Sequence, residues 1–363
     1  MELSGMGGWM NLALRSPYLP TSLSQLIRTP LTFSIALKIM PLLTSPPQPY
    51  PLIGQELALE LLTRAIALER LPSAYLFAGP EGVGRSSAAR YFTSLLFGAN
   101  VSDSKSSLIT HRLATGNHPD LLVIQPTYIH EGELLTKNQA IERGLERKTA
   151  PLIRIEQVRA ITEFLSRPPL EATKQVVIVE QAETMNEAAA NALLKTLEEP
   201  GEHGIFILIA QGIESLLPTI VSRCSLIPFY RLSPSDLKKV LLALGHEEIL
   251  PHSELLMMAQ GSPGKAIAFF EQLRSIPDAL LQALTRLPLS LRSALELARV
   301  IDSTLSVDTQ LWLCGYLQHY YWQKTHNSHL LQQFDQTHHY LTSHCQSRLV
   351  WEVTLSRAGV ENW

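Results

Sequence analysis

Residues 175–224 hold two unbroken apolar runs separated by an Ala-rich segment, and this arrangement restricts the fold more than any other stretch of the chain. The runs, 176–179 and 205–210, are short and lack polar alternation, which is the pattern of strands buried on both faces. Between them, residues 186–199 read as a helix. Asn186 is suited to the N-cap, Ala and Leu are strong helix formers, and Pro200 cannot continue the pattern. Strand, helix, strand is the unit of a parallel sheet. Such sheets hold ligands beyond the carboxyl ends of their strands. Glu180 follows the first run and Ser222-Arg223-Cys224 follows the second, so both are expected at that edge.

A second strand–loop–helix pattern lies upstream. Leu52-Ile53-Gly54-Gln55 leads into a helix over 56–67, and residues 74–78 read as a strand. That strand delivers Gly79-Pro80-Glu81-Gly82-Val83-Gly84-Arg85-Ser86-Ser87, followed by a helix to about Phe97. Glycines let backbone N–H groups converge on phosphate oxygens, and the helix N-terminus adds its dipole. Gly79, Gly82, Gly84, Arg85, Ser86 and Ser87, with Glu180, are therefore the candidate nucleotide-binding residues, Ser86 offering a hydroxyl to Mg²⁺.

The loop is nevertheless altered. The motif wants Lys where this chain has Arg85, and a planar, bidentate guanidinium does not replace a compact ammonium. Where hydrolysing P-loop proteins place a metal-binding Asp and then a carboxylate, the chain has Glu180 and Gln181, and Gln181 cannot act as a base. Glu183, two residues on, is expected to point elsewhere. A turn kept for folding is the favoured reading of the loop. ATP or ADP held with Mg²⁺ but without turnover is the alternative.

RLPSAYLFAGPEGVGRS, NHPDLLVI, NEAAANALLKTLEEP and the Ser-Arg-Cys tripeptide occur in this order, and together they resemble the clamp-loader subunits of bacterial DNA polymerase III. The resemblance covers about residues 52–230 and extends more weakly to 273. It implies an α/β AAA+ P-loop module with a parallel sheet, then a small helical lid, then an all-α collar domain that joins a ring. It also implies that Arg223 acts in trans, as an arginine finger on the ATP of a neighbouring subunit. The implied partners are gamma/tau and delta subunits, with the sliding clamp and primed DNA reached through the complex. The altered loop points to a non-hydrolysing member of that ring. The alternative is an active ATPase of the same fold in which Arg85 and Glu180 do the normal work. The four zinc-binding cysteines common between the phosphate-loop helix and the His-Pro-Asp segment in such subunits are absent from 98–116, so no zinc is expected there. Polymerisation is not expected of the chain, which offers no polymerase-like pair of metal-binding carboxylates.

The expected organisation is 1–39 as a poorly ordered extension or a start assigned too early, 40–232 as the P-loop domain, 233–273 as the lid and 274–363 as the collar. A Pro-rich lead-in occupies 44–51. With 30 Lys+Arg against 33 Asp+Glu, no basic excess marks a nucleic-acid binder. Three distant cysteines support neither a disulfide framework nor a four-cysteine zinc site, which fits a cytoplasmic setting, and no apolar run reaches membrane-spanning length. His118 and Asp120 are read as part of a turn feeding a strand. Residues 128–149 are read as an exposed insertion with a helical piece, and 155–165 as a helix packed on the sheet. Arg154 and Arg159 are expected to be solvated, as is Lys195. Six of the twelve histidines fall between His319 and His344, and solvated histidines on a collar are favoured over a metal site.

Overall fold

The computed structural model describes residues 52–98, 109, 111–113, 116–145, 150–286, 290–343 and 345–360. The expectations for 1–39 and 44–51, for most of the Ser-rich stretch 98–116 and for His344 lie outside the described residues. The chain divides after Asp236 into two compact units.

In the first unit, helix α1 (Glu56–Ala67) precedes strand β1 (Ala74–Ala78), and the glycine loop leads from β1 into α2 (Arg85–Gly98). Strand β2 (Leu121–Ile124) is followed by an antiparallel ribbon, β3 (Thr127–His130) paired with β4 (Glu133–Thr136), and by the short helix α3 (Lys137–Glu142). Helix α4 (Ile155–Leu165), β5 (Gln175–Val179), α5 (Glu187–Glu198), β6 (Gly204–Ala210), α6 (Pro218–Val221) and β7 (Ser225–Pro228) complete the unit. The five longer-range strands pair in parallel in the order β2-β5-β6-β1-β7. This is the α/β module with helices that the opening stretch implies.

The apolar runs explain the sheet's centre. Every residue of β1, β5 and β6 is buried, as strands covered on both faces must be. Helix α5 begins where Asn186 accepts the backbone N–H of Ala189 at 2.8 Å, and it lays Ala189, Leu193 and Leu197 against the sheet. Helix α4 adds Val158 and Ile161 to the same core. Lys195 is exposed.

The insertion is more structured than its charge suggests. Besides α3 it contains the β3–β4 ribbon, and Arg154 is not simply solvated: its guanidinium donates to the carbonyls of Thr127 at 2.5 Å and Leu152 at 3.1 Å. Thr127 and Leu152 themselves pair as an isolated bridge, so Arg154 ties the base of the ribbon to the start of α4.

The second unit is all helical: α7 (Pro234–Ala243), which begins just before the division, α8 (Ser253–Ala259), α9 (Pro263–Ser275), α10 (Asp278–Leu284), α11 (Leu291–Thr304), α12 (Val307–Thr325), α13 (Ser328–Thr342) and α14 (Ser347–Val360). Ser262, Ser290, Ser306 and Asn327 each accept a backbone N–H from the first turn of the helix that follows, which sets four of these starts. One apolar cluster joins Leu255, Phe269 and Leu273, in the stretch expected to be a lid, to Leu313, Phe334 and Trp351, in the stretch expected to be a collar. Trp351 is fully buried, and its indole N–H donates to Gln310 at 2.9 Å. Trp312, Tyr316 and Tyr320 stack one turn apart along α12.

Candidate functional site

The glycine loop is built by close backbone approach. A Cβ at Gly79 would stand 2.3 Å from the carbonyl oxygen of Phe229, so a side chain there would force displacement, and Gly84 turns at φ +102°, a conformation that strains any residue with a side chain. Gln55 stitches the loop to the end of β7. Its buried amide donates to the carbonyls of Val83 at 3.3 Å and Tyr230 at 2.7 Å, and it accepts the N–H of Tyr230 at 3.2 Å. The sequence places Gln55 beside Gly54 at a helix start but gives no sign of this role, because its partners lie up to 175 residues away.

Arg85 opens α2 and is only 7% exposed. Its Nη1 donates to the carbonyl of Ala210, the last residue of β6, and the N–H of Gly79 donates to the same oxygen at 3.3 Å. The guanidinium thus turns in toward the carboxyl edge of the sheet. Burial pulls its pKa below the usual arginine range, and the charges of Glu183 and Glu81 push back. Ser86 and Ser87 stand half-buried in the same first turn, behind Gly82 and Gly84.

Glu180 follows β5 and is held on two sides. Its Oε2 accepts from the amide of Gln125 at 3.0 Å, and its Oε1 lies 3.7 Å from Nη2 of Arg90. Gln181 adopts a left-handed conformation at φ 50°, and a single 3₁₀ turn, Ala182–Thr184, follows. Glu183 lies in that turn; its charge opposes the effect of burial on the pKa of Arg85, and its Oε2 is buried without a hydrogen-bond partner among the described residues. Glu180 is thus paired to Arg90, and Gln181 is a neutral amide turned to solvent, which cannot act as a base.

The Ser222-Arg223-Cys224 tripeptide is not at the carboxyl edge, which corrects an expectation. Ser225 pairs with Tyr75, near the start of β1, so the tripeptide sits at the amino ends of the strands. The reason is the crossover: after β6 ends at the carboxyl edge, α6 returns the chain across the sheet before β7 begins. Strand β1 climbs ~10 Å from Tyr75 to Ala78 before the loop is reached. The fold therefore brings together Gly79, Gly82, Gly84, Arg85, Ser86, Ser87 and Glu180, and it separates Arg223 from them. Arg223 is exposed, its Nη1 donating to the carbonyl of Thr219 at 2.9 Å and its Nη2 pairing with Glu198 at the end of α5. Guanidinium groups in this setting present fixed charge and a fork of donors to an incoming anion.

The turn at His118 and Asp120 is a structural joint. Asp120, 1% exposed, accepts the backbone N–H groups of Leu170 at 2.7 Å, Glu171 at 2.8 Å and Ala172 at 2.7 Å, which fixes the loop entering β5. His118 is buried against Phe97 and accepts the N–H of Asp120 at 3.2 Å. No group of three or more His, Cys, Asp and Glu that could hold a metal ion occurs among the described residues.

Comparison with known proteins follows the same division of the chain. Residues 54–233 match the family described as "DNA polymerase III, delta subunit", and residues 235–358 match "Cyanobacterial DNA polymerase III delta prime, C-terminal domain". The DNA polymerase III subunit delta' of Bacillus subtilis is 33% identical over 207 residues, which is 56% of this chain and 55% of that protein. The subunit delta' of Pseudomonas aeruginosa is 34% identical over 195 residues, 52% of this chain and 53% of the relative. The chain thus spans about half the length of the curated relatives it matches. A solved structure of a DNA polymerase III gamma subunit-related protein from Thermotoga maritima covers 83% of this chain and 98% of its own, at 18% identity and a TM-score of 0.46, a likeness too slight to build on.

Proposed function

The chain belongs to the DNA polymerase III delta-prime subunit family, and from that premise we propose that it is a clamp-loader subunit that does not hydrolyse ATP itself and supplies Arg223 to the nucleotide of a neighbouring subunit. The observation that carries this reading is the position of Arg223 at the amino edge of the sheet, at the opposite end of β1 from the chain's own phosphate loop. An exposed guanidinium there cannot serve the loop of its own chain but is open to contact from a second subunit. An arginine supplied in trans to a transferring phosphoryl group contributes roughly a thousand- to a hundred-thousand-fold in rate.

The state of the loop supports the other half of the reading. Arg85 is spent on the Ala210 carbonyl, and Glu180 is engaged by Arg90 and Gln125. An ATP-hydrolysing role would need both groups released. The proposed partners are gamma/tau and delta subunits, and through them the sliding clamp and primed DNA, in the cytoplasm. Among the described residues no helix is long and apolar enough to cross a membrane.

The test is clamp- and DNA-stimulated ATP hydrolysis by a loader reconstituted with this chain. Arg223→Ala is expected to lower turnover at least tenfold, Arg85→Ala to leave it nearly intact once the folded fraction is matched, and the chain alone to show no turnover. Equal losses in the two variants, or turnover by the chain alone, would mean that Arg85 and Glu180 form a working site and that the reading is wrong.

A further inference from the structure

Glu198 lies in the last turn of α5, where the helix dipole presents its negative end and a carboxylate is unfavourable unless a cation answers it. Arg223 is that cation, reaching across 25 residues of chain from the end of α6. Its guanidinium is gripped from two directions: Nη1 by the carbonyl of Thr219 and Nη2 by the carboxylate of Glu198. The two side chains are 36% and 52% exposed, so the pair sits in solvent, where ion pairs are weak and readily exchanged.

A long arginine side chain loses much rotamer freedom when it is fixed on a ligand, and a group already held in place loses less. The side chain stays partly exposed at the amino edge of the sheet, so the guanidinium can be reached from outside. A phosphate oxygen of higher charge than a carboxylate can displace Glu198 from Nη2 while the Thr219 carbonyl keeps Nη1. We infer that Glu198 is a positioning residue for Arg223, holding the guanidinium at the sheet's amino edge and yielding Nη2 to a phosphate group when a neighbouring subunit docks. The inference rests on the trans role of Arg223 given above, and it adds to that role a second residue and a direction of effect.

The experiment is steady-state ATP hydrolysis by the reconstituted loader with wild-type chain, Glu198→Ala, Arg223→Ala and the double variant. Removing Glu198 is expected to lower kcat about fivefold, equivalent to ~1 kcal/mol in the barrier. KM for ATP stays unchanged, because the nucleotide is held by another subunit. In the Arg223→Ala background, Glu198→Ala is expected to have no further effect, since Glu198 acts only through the arginine. Glu198→Gln, the isosteric change, shows a smaller loss in the same direction and covers any failure of the alanine variant to fold. If Arg223→Ala lowers the rate but Glu198→Ala matches or exceeds wild type, the positioning inference fails alone. An equal kcat loss from Glu198→Ala in the Arg223→Ala background would assign Glu198 a merely structural role and would likewise overturn it. If Arg223→Ala has no effect, the trans role itself is lost.

Discussion

Three cysteines in this chain differ sharply in what their surroundings permit. Cys224, beside Arg223, is buried, and burial pushes its thiol up to about 12; Cys314 is buried still more completely and is also raised. Cys345 is exposed. A thiolate-directed maleimide at neutral pH is therefore expected to label one site in the native protein, with Cys345→Ser abolishing the labelling and denaturant restoring two further sites. Rapid native labelling of Cys224 would mean that the edge carrying Arg223 opens far more readily than its packing implies. At this scale the sequence was informative about identity and silent about destination. The exchange of Lys for Arg85 is visible in the motif, but that the guanidinium ends on Ala210, 125 residues later, depends on the sheet order. The position of Glu183 was likewise not legible. It follows the left-handed turn at Gln181, a conformation that glutamine adopts rarely and that no local pattern announces.

Among the elements, the turn leading into β2 buries an imidazole and a carboxylate side by side. The Asp120 carboxylate takes three backbone N–H groups, each a charge-assisted bond in a dry site. Asp120→Ala strands those donors, and its expected cost is ~3–5 kcal/mol in urea unfolding, with a normal m-value. His118 in the same turn adds a pH dependence. Burial holds its pKa below the ordinary 6.5, with Asp120 and Glu171 partly opposing the shift. The unfolded chain therefore takes up the proton first as pH falls. The stabilisation is fully present above pH 6.5 and is lost as pH drops from 6.5 through the lower folded value. Unfolding midpoints between pH 7.5 and 5.5 should decline in wild type and flatten in His118→Gln; parallel slopes in the two proteins would rule out this assignment. The strands and helices themselves were legible, because unbroken apolar runs and a 3.6-residue period are local signals: α1 and β1 fall at 56–67 and 74–78, and β5, α5 and β6 within one residue of their expected bounds. The edge occupied by Arg223 was not legible, since it follows from the path of α6 between two strands, and the β3–β4 ribbon was hidden by the charge of its flanks.

At the scale of the whole molecule, the question is whether the phosphate loop still couples this chain to nucleotide. A ligand that binds only the folded state raises stability by RT ln(1 + [L]/Kd), so even modest affinity becomes visible in a melting curve at high ligand concentration. Each unit carries its own buried cluster, and the loop belongs to the first. With Arg85 folded onto the Ala210 carbonyl, the cation that would meet phosphate oxygens is already engaged inside the protein. Millimolar ATP or ADP with Mg²⁺ is expected to leave the melting temperature of the first unit unchanged. The informative variant is Arg85→Lys. An ammonium on a flexible stem lacks the planar reach that suits Arg85 to the Ala210 carbonyl, and it can turn toward the loop's converging N–H groups. That variant is expected to gain an ATP-dependent rise in melting temperature while remaining without turnover, because Glu180 stays paired to Arg90 and Gln181 supplies no base. A nucleotide-dependent shift in the wild-type chain would show instead that Arg85 leaves Ala210 for phosphate, and that the loop is an occupied site held without hydrolysis. Turnover by Arg85→Lys would locate the whole defect in one residue and make the pairing of Glu180 incidental.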